Sequence, residues 1–242
     1  MNIIKLNAIN STNDYLKSLS SSQYVENFTI VTADNQTAGR GQMGAKWNVE
    51  PGKNLTFSIL VKDLLLDIKE IFYLNAGVAV SIVQALESLS INDLSIKWPN
   101  DILAGNKKIG GILIENSIKN SGEIYSIIGI GLNVNQKEFN GLAKASSLAL
   151  LTGREHDKEV LMTAIAENLR RNVAALMHKE SDLIWNNYHK MLFKKNLPMP
   201  FEKEGKHFMG IIKGVSKTGN LMVQLEDETL AEYGLKEVQL LY

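Results

Sequence analysis

The chain has 242 residues, 45% hydrophobic and 21% charged, the balance of an ordinary globular protein and far from a disordered or fibrous one. Lysine plus arginine equals aspartate plus glutamate at 26 each, so no whole-molecule field draws it to nucleic acid or to an anionic membrane. Cysteine is absent, which removes disulfides, thiol nucleophiles and thiolate metal sites together, and the four histidines are scattered without metal-ligand spacing.

The N-terminal MNIIKLNAINSTND has no basic segment followed by an apolar run, and no stretch approaches the ~20 apolar residues of a membrane span, so the expectation is a cytoplasmic protein. From Ser11 the Ser-Thr-Asn-Asp sequence opens a helix with Tyr15, Leu16 and Leu19 on one side, and Ser11 with Asp14 matches a capping box. Strands are predicted at Phe28 to Ala33 and Asn54 to Lys62, then a helix from Phe72 to Leu89. Leu94 to Trp98, Lys108 to Asn116 and Ile124 to Val134 read as an antiparallel meander turned at Ala104-Gly105-Asn106 and Asn120-Ser121-Gly122. Helices are expected at Lys158 to His178 and Asp182 to Met191. Pro198 and Pro200 then mark a break, and Lys206 to Tyr242 carries brief strands with a Thr218-Gly219-Asn220 turn. This divides the chain into a main domain, 1–197, and a small all-β module, 198–242.

Gly39-Arg40-Gly41-Gln42-Met43-Gly44 is a literal GxGxxG after a predicted strand, with Asp63 some way on, as a dinucleotide-binding fold would have. The context excludes that fold: such a loop opens a helix, whereas here Lys46-Trp47-Asn48 runs through Pro51-Gly52 into a strand. What remains is a plain turn or an anion-binding loop, in which glycines let backbone N–H groups approach a phosphate and Arg40 adds a fork of donors.

A second constellation is Lys97-Trp98-Pro99-Asn100-Asp101 at the end of one predicted strand, facing Lys108-Ile109-Gly110-Gly111-Ile112-Leu113 across a turn. Continued as a strand, 97, 99 and 101 share one face, which directs Lys97 and Asp101 into one cavity; the plainer alternative is a surface ion pair beside a glycine bulge. Ser11, Thr12 and Asn13 likewise read as a helix cap, which uses one side chain, or as a cluster of donors and acceptors suited to a small polar group such as a urea.

In order, Ser11-Thr12-Asn13, Gln36 with Gly39-Arg40-Gly41, Lys46-Trp47, Lys97-Trp98-Pro99-Asn100-Asp101, Lys108-Ile109-Gly110-Gly111-Ile112-Leu113 and Gly129-Ile130-Gly131-Leu132-Asn133-Val134 resemble the biotin–protein ligases. The likeness runs from about Asn7 to Thr152, with the last module similar to that family's SH3-like domain. It implies an α+β catalytic domain related to class II aminoacyl-tRNA synthetases, a mixed sheet backed by helices, plus the small β-barrel. It also implies formation of biotinyl-5′-AMP from biotin and ATP, then transfer to a lysine.

Carried over by position, the resemblance assigns biotin to Ser11, Thr12, Asn13, Gln36, Arg40, Gly41, Gln42, Lys108, Gly111 and Gly131. ATP falls to Arg40, Trp47, Asn100, Asp101, Lys108 and Asn133, and the chemistry to Arg40, Lys97, Lys108 and Asp101, with Asp101 helping to hold Mg2+. The implied acceptor is the biotin carboxyl carrier protein of a biotin-dependent carboxylase, and the ligase acts as a monomer or homodimer, without a membrane. Two departures stand out. Members often carry GRGR in the glycine loop, where this chain has Gln42. Repressor members carry an N-terminal helix-turn-helix domain, and this chain begins about ten residues before Ser11, so no specific DNA binding is expected. Lipoate ligases and octanoyl transferases share the fold and are the nearest competitors, which the KWPND segment and GRG loop disfavour; a non-catalytic biotin- or nucleotide-binding module is the competitor of another class.

Overall fold

The computed structural model describes residues 1–47, 49–64, 70–118 and 124–242. β1 (Ile3–Ile9) leads into α1 (Thr12–Ser22), which returns the chain to β2 (Ile30–Gln36) parallel to β1, the crossover that a parallel pair requires. β3 (Leu55–Leu64), α2 (Phe72–Ser88), β4 (Leu94–Lys97), β5 (Asp101–Ala104), β6 (Lys107–Ile118) and β7 (Ile124–Leu132) complete a seven-stranded mixed sheet, ordered β1-β2-β3-β7-β6-β5-β4. After α3 (Leu148–Thr152), α4 (Lys158–Met177) and α5 (Ser181–Lys190), the strands β8 (Pro198–Lys203), β9 (Lys206–Val215), β10 (Leu221–Leu225), β11 (Leu230–Tyr233) and β12 (Gln239–Leu240) form a separate antiparallel sheet. The α+β class, the mixed sheet and the small β module are those expected from the sequence.

Four features differ from that expectation. β1, β5, β8 and α3 are additional: IIKLNAI, DILA and LALLT are too short or too irregular to carry a clear period, and β8 runs through Pro198 and Pro200, where a break was expected. Lys97 and Asp101 do not lie along one strand; the chain reverses through Trp98-Pro99-Asn100, with a cis Trp98–Pro99 bond, and the two residues face each other across the β4–β5 pair. The Ala104-Gly105-Asn106 turn therefore joins β5 to β6, while the Asn120-Ser121-Gly122 turn lies outside the described residues. The capping box is half made: Ser11 Oγ accepts from Asp14 N at 3.3 Å, but Ser11 N donates to Asn10 Oδ1, leaving the Asp14 carboxylate for another partner.

Alternation along β3 and β7 divides the sheet into two faces. Phe57, Ile59 and Val61 with Ile128, Ile130 and Leu132 point toward α2 and α4 and join the main core. α2 is buried on nearly every side, which suits its run of Ala, Val, Ile and Leu. On the opposite face, Leu60, Ile127 and Val31 pack with Leu16 of α1 in a smaller core. α1 covers one end of that face, and the remainder opens into a cavity.

The second sheet is docked through specific bonds. Trp98 Nε1 donates to the Gly219 carbonyl at 2.9 Å, in the β9–β10 turn. His189 Nε2 lies 3.0 Å from Val215 N and 3.1 Å from the Val215 carbonyl, and its Nδ1 lies 2.9 Å from the Trp185 carbonyl. Trp98→Phe keeps an aromatic side chain but loses part of the packing and the N–H to the Gly219 carbonyl; a loss of at least about 1 kcal/mol in urea unfolding is expected, and unchanged stability would show that this bond does not hold the second sheet.

Candidate functional site

The open face is cleared by glycine. Gly111 and Gly131 are partners across β6–β7, and Gly129 follows on the same face of β7. A Cβ on Gly129 would sit 2.5 Å from Asn13 Oδ1, and one on Gly131 2.5 Å from the Trp47 ring, so both side chains rest directly on bare backbone. Above this floor lies a cavity of about 550 Å³, a size suited to a small-molecule ligand.

Its inner end is polar and already ordered. Gln36 Oε1 accepts from Thr12 N at 2.8 Å and Thr12 Oγ1 at 3.0 Å. Ser58 Oγ lies 2.8 Å from Thr12 Oγ1 and 2.6 Å from Asn13 Oδ1, while Asn13 Nδ2 donates to Glu115 Oε2 at 2.7 Å. Ser11, Thr12, Asn13 and Ser58 are buried. Such a network holds its donors and acceptors in fixed directions, which is what recognition of a compact polar group requires. Ser58 and Glu115 were not foreseen; the available signal was the polar alternation of Thr56 and Ser58 within the otherwise apolar LTFSILV.

The other end carries charge. Lys108 Nζ lies 2.5 Å from Asp101 Oδ1 and Lys97 Nζ 3.8 Å from Asp101 Oδ2, so one carboxylate sits between two ammonium groups. Arg40 bonds the carboxylate of Asp14, freed by the incomplete cap, and lies 3.9 Å from Glu115. The Arg40–Asp14 side chains are 47% and 38% exposed, so the pair contributes little and opens readily to a competing anion. The Asp101 carboxylate, 16% exposed, is the more firmly held.

Burial holds the Lys97 ammonium below the ordinary 10.5; Asp101 raises it, while Lys108 and Lys144 lower it further. From that lowered pKa up to 10.5 the folded chain binds fewer protons at this site than the unfolded one, so the contribution of Lys97 to stability rises with pH through that window.

The cavity lining includes Ser11, Thr12, Asn13, Gln36, Arg40, Gly41, Gln42, Trp47, Lys97, Asn100, Asp101, Lys108, Gly111 and Gly131. Asn133 is outside it: Asn133 Nδ2 donates to the Ser146 carbonyl at 3.0 Å, and Ser146 N in turn donates to the Lys108 carbonyl. Asn133 thus supports the segment flanking Lys108. Asn100 reaches the lining, yet its amide is committed to the Ile112 carbonyl at 2.6 Å. Among the described residues no group of three or more His, Cys, Asp or Glu could hold a metal ion. Asp101 by itself is taken by two lysines, a donor set that does not fit a resident cation. The second sheet reaches the cavity mouth through Leu235, Lys236, Val238, Gln239 and Leu240.

Residues 6–135 match the biotin/lipoate A/B protein ligase family. The chain belongs to that family. Within it, the chain is 34% identical over 167 residues to a bifunctional ligase/repressor BirA of Bacillus spizizenii, an alignment covering 66% of this chain and 51% of that protein. It thus spans about half the length of that relative. Its fold is similar to the biotin protein ligase from Aquifex aeolicus in complex with biotin and ATP, with TM-score 0.82 and 26% identity over 99% of this chain and 98% of that one. The Leishmania major biotin protein ligase in complex with biotinyl-5-AMP is also similar, with TM-score 0.60 and 26% identity over 96% and 98% of the two chains. Among the described residues no helix of this family member is long and apolar enough to cross a membrane.

The pairing of Asp101 with two lysines is open to a direct check by titrating the Lys97 side chain with NMR. Its midpoint is expected below 10.5 and lower again in Asp101→Asn, because the carboxylate that favours the ammonium is gone. An unmoved midpoint in that variant would separate Asp101 from Lys97 electrostatically.

Proposed function

We propose that this chain is a biotin–protein ligase, which forms biotinyl-5′-AMP from biotin and ATP and then transfers biotin to a lysine of a carboxylase's biotin carboxyl carrier protein. The observation that carries the reading is one cavity with a prearranged neutral polar network at its inner end and paired cations at the other. A ureido head group has a carbonyl and two N–H groups, the mixed demand that Ser11, Thr12, Asn13 and Gln36 meet, with Ser58 holding Thr12 and Asn13 from behind. An octanoyl tail has no donors or acceptors to add to that network, which favours biotin over the other acyl groups handled within the family. The biotin rings would then lie beside Gly111, against the Asn13 and Trp47 side chains that rest on Gly129 and Gly131.

Biotin's carboxylate oxygen attacks the α-phosphorus of ATP and pyrophosphate leaves. Two anions meet, so the site must stabilise the negative charge that accumulates. Arg40, Lys97 and Lys108 do this, with Asp101 holding both lysines at the reacting end, and Gly41 and Gln42 bring the loop backbone close. Trp47 and Asn100 line the nucleotide's side, and Asn133 acts from behind the Lys108 segment. Magnesium enters on the phosphates of ATP as part of the substrate. In the second step a neutral lysine amine of the acceptor attacks the acyl carbon, AMP departs and the amine loses its proton. The reading divides the chain into a catalytic domain, 1–197, and a second domain, 198–242, acting as a monomer or homodimer in the cytoplasm.

With ATP, magnesium, biotin and the carrier domain, pyrophosphate, AMP and a biotinylated lysine are expected, and none of them when lipoate or octanoate replaces biotin. Product from octanoate instead of biotin would assign the chain to the other branch of the family. Lys108→Met retains the stem but deletes the ammonium. Pyrophosphate release is expected to fall on the order of 100-fold to 1,000-fold with the thermal melt preserved. A folded variant within a few-fold of the parent rate would remove Lys108 from the chemistry.

A further inference from the structure

The glycine loop closes mostly on itself. Trp47 N donates to the Gly39 carbonyl at 2.9 Å, Gly41 N to Ala45 at 2.6 Å and Ala45 N to Gln42 at 3.2 Å, and Arg40 pairs with Lys46 as an isolated bridge. At its base Arg40 pairs with the exposed Asp14, a contact that a phosphate can replace. Its tip, the one-turn 3-10 helix Gln42–Gly44, receives one hydrogen bond from elsewhere among the described residues, and the donor comes from the other sheet: Lys236 Nζ bonds the Met43 carbonyl at 3.3 Å.

Both ends of that contact are held in shapes that ordinary side chains avoid. Met43, at φ 55°, and Lys236, at φ 64°, are non-glycine residues in the left-handed region. Lys236 sits in the connection from β11 to β12, where Glu237 accepts from Gly234 N at 2.8 Å and spans the turn. That bond engages Glu237 with backbone. Among the described residues Lys236 has no carboxylate partner, unlike Arg40, Lys97 and Lys108. It thus lines the cavity without an ion pair among the described residues, beside a loop that carries the neutral Gln42.

We propose that Lys236 is a positioning residue for the activated intermediate: it clamps the tip of the glycine loop to the second sheet and adds a cation at the phosphate end of the cavity. The inference rests on the adenylation proposed above. The acyl phosphate anhydride is prone to hydrolysis, so it must be kept from water until the acceptor lysine arrives, and a loop tip held at both sides does that better than one held only at its base. The second sheet is then a working part of the site, because its β11–β12 connection decides how long the loop stays down.

Lys236→Met removes the ammonium from an exposed position and leaves the described catalytic residues in place. With the full chain, biotin and ATP but no acceptor, release or hydrolysis of biotinyl-5′-AMP is expected to quicken roughly tenfold, the scale of one charge-assisted hydrogen bond. The first-turnover burst of pyrophosphate at saturating ATP is expected to change less than about twofold, the KM for ATP rising instead, as for a residue that binds without acting in the chemical step. Lys236→Arg should restore retention, and Gln42→Arg should recover part of it in the Lys236→Met background by returning a cation to the loop.

A purely structural role predicts a lowered melt that neither replacement repairs selectively, and that pattern overturns the proposal, as does retention in Lys236→Met equal to the parent. The clamp is also readable without ligand: amide hydrogen exchange at Gln42 to Ala45 should accelerate in Lys236→Met and return to the parent rate in Lys236→Arg. Unchanged exchange overturns the clamp whatever the activity. Parent protein that forms no adenylate while the exchange effect appears would refute the ligase reading and leave the clamp standing.

Discussion

The site depends on the backbone of β7 being approachable from one side. With glycine at 129 and 131 and Gly111 opposite, the sheet offers a floor on which Asn13 and Trp47 can rest. A methyl group at 129 or 131 would meet those side chains at 2.5 Å, closer than a Cβ can approach. The same strand is apolar on its other face, where Ile128, Ile130 and Leu132 anchor it to the main core. Burial on one face therefore fixes the position of a strand whose other face is left bare, and α1, covering only the Leu60 and Ile127 end, sets where the cavity begins.

Charge in the cavity is arranged so that an anionic ligand replaces partners already present. Arg40 can exchange the exposed Asp14 for a phosphate at little cost, since an exposed pair is worth only a fraction of 1 kcal/mol. Asp101 differs. It keeps Lys97 and Lys108 near each other despite their repulsion, and the lowered pKa of Lys97 reflects burial first and the neighbouring lysines after it. The incomplete cap of α1 belongs to the same scheme, because the acidic side chain at its third position turns away from the helix to face the glycine loop.

Much of the fold was legible wherever the apolar period was long, as in α2, α4 and β7. It failed at β1 and β5, where seven and four residues respectively carry too few repeats to separate a strand from a loop. Lys97 and Asp101 were placed together through the wrong geometry: a continued strand and a hairpin both bring them to one face, and only Pro99, which has no N–H to offer a ladder, pointed to the hairpin. Gln36 and Thr12 could be named from a resemblance, but their bond through 24 residues of chain was not visible. Ser58 hid in an apolar run, Glu115 stood near the end of a predicted strand with nothing to mark it, and the reach of Lys236 to Met43 crosses 193 positions. Asn133 lies outside the cavity lining, where its side chain bonds the Ser146 carbonyl of the segment flanking Lys108, a long-range contact its GLNV surroundings do not announce.

The central claim is that one cavity holds a biotinyl group by its ring at the Thr12 and Gln36 end and by its activated carboxyl at the Lys108 end. A crystal of the full chain soaked with biotin and magnesium ATP tests it most directly. The expected density is a single biotinyl-5′-AMP, its ureido group bonded to the network of Thr12, Asn13, Gln36 and Ser58 and its phosphate between Arg40 and Lys108. Density for the ligand elsewhere, or with the ureido group away from that network, would contradict the account.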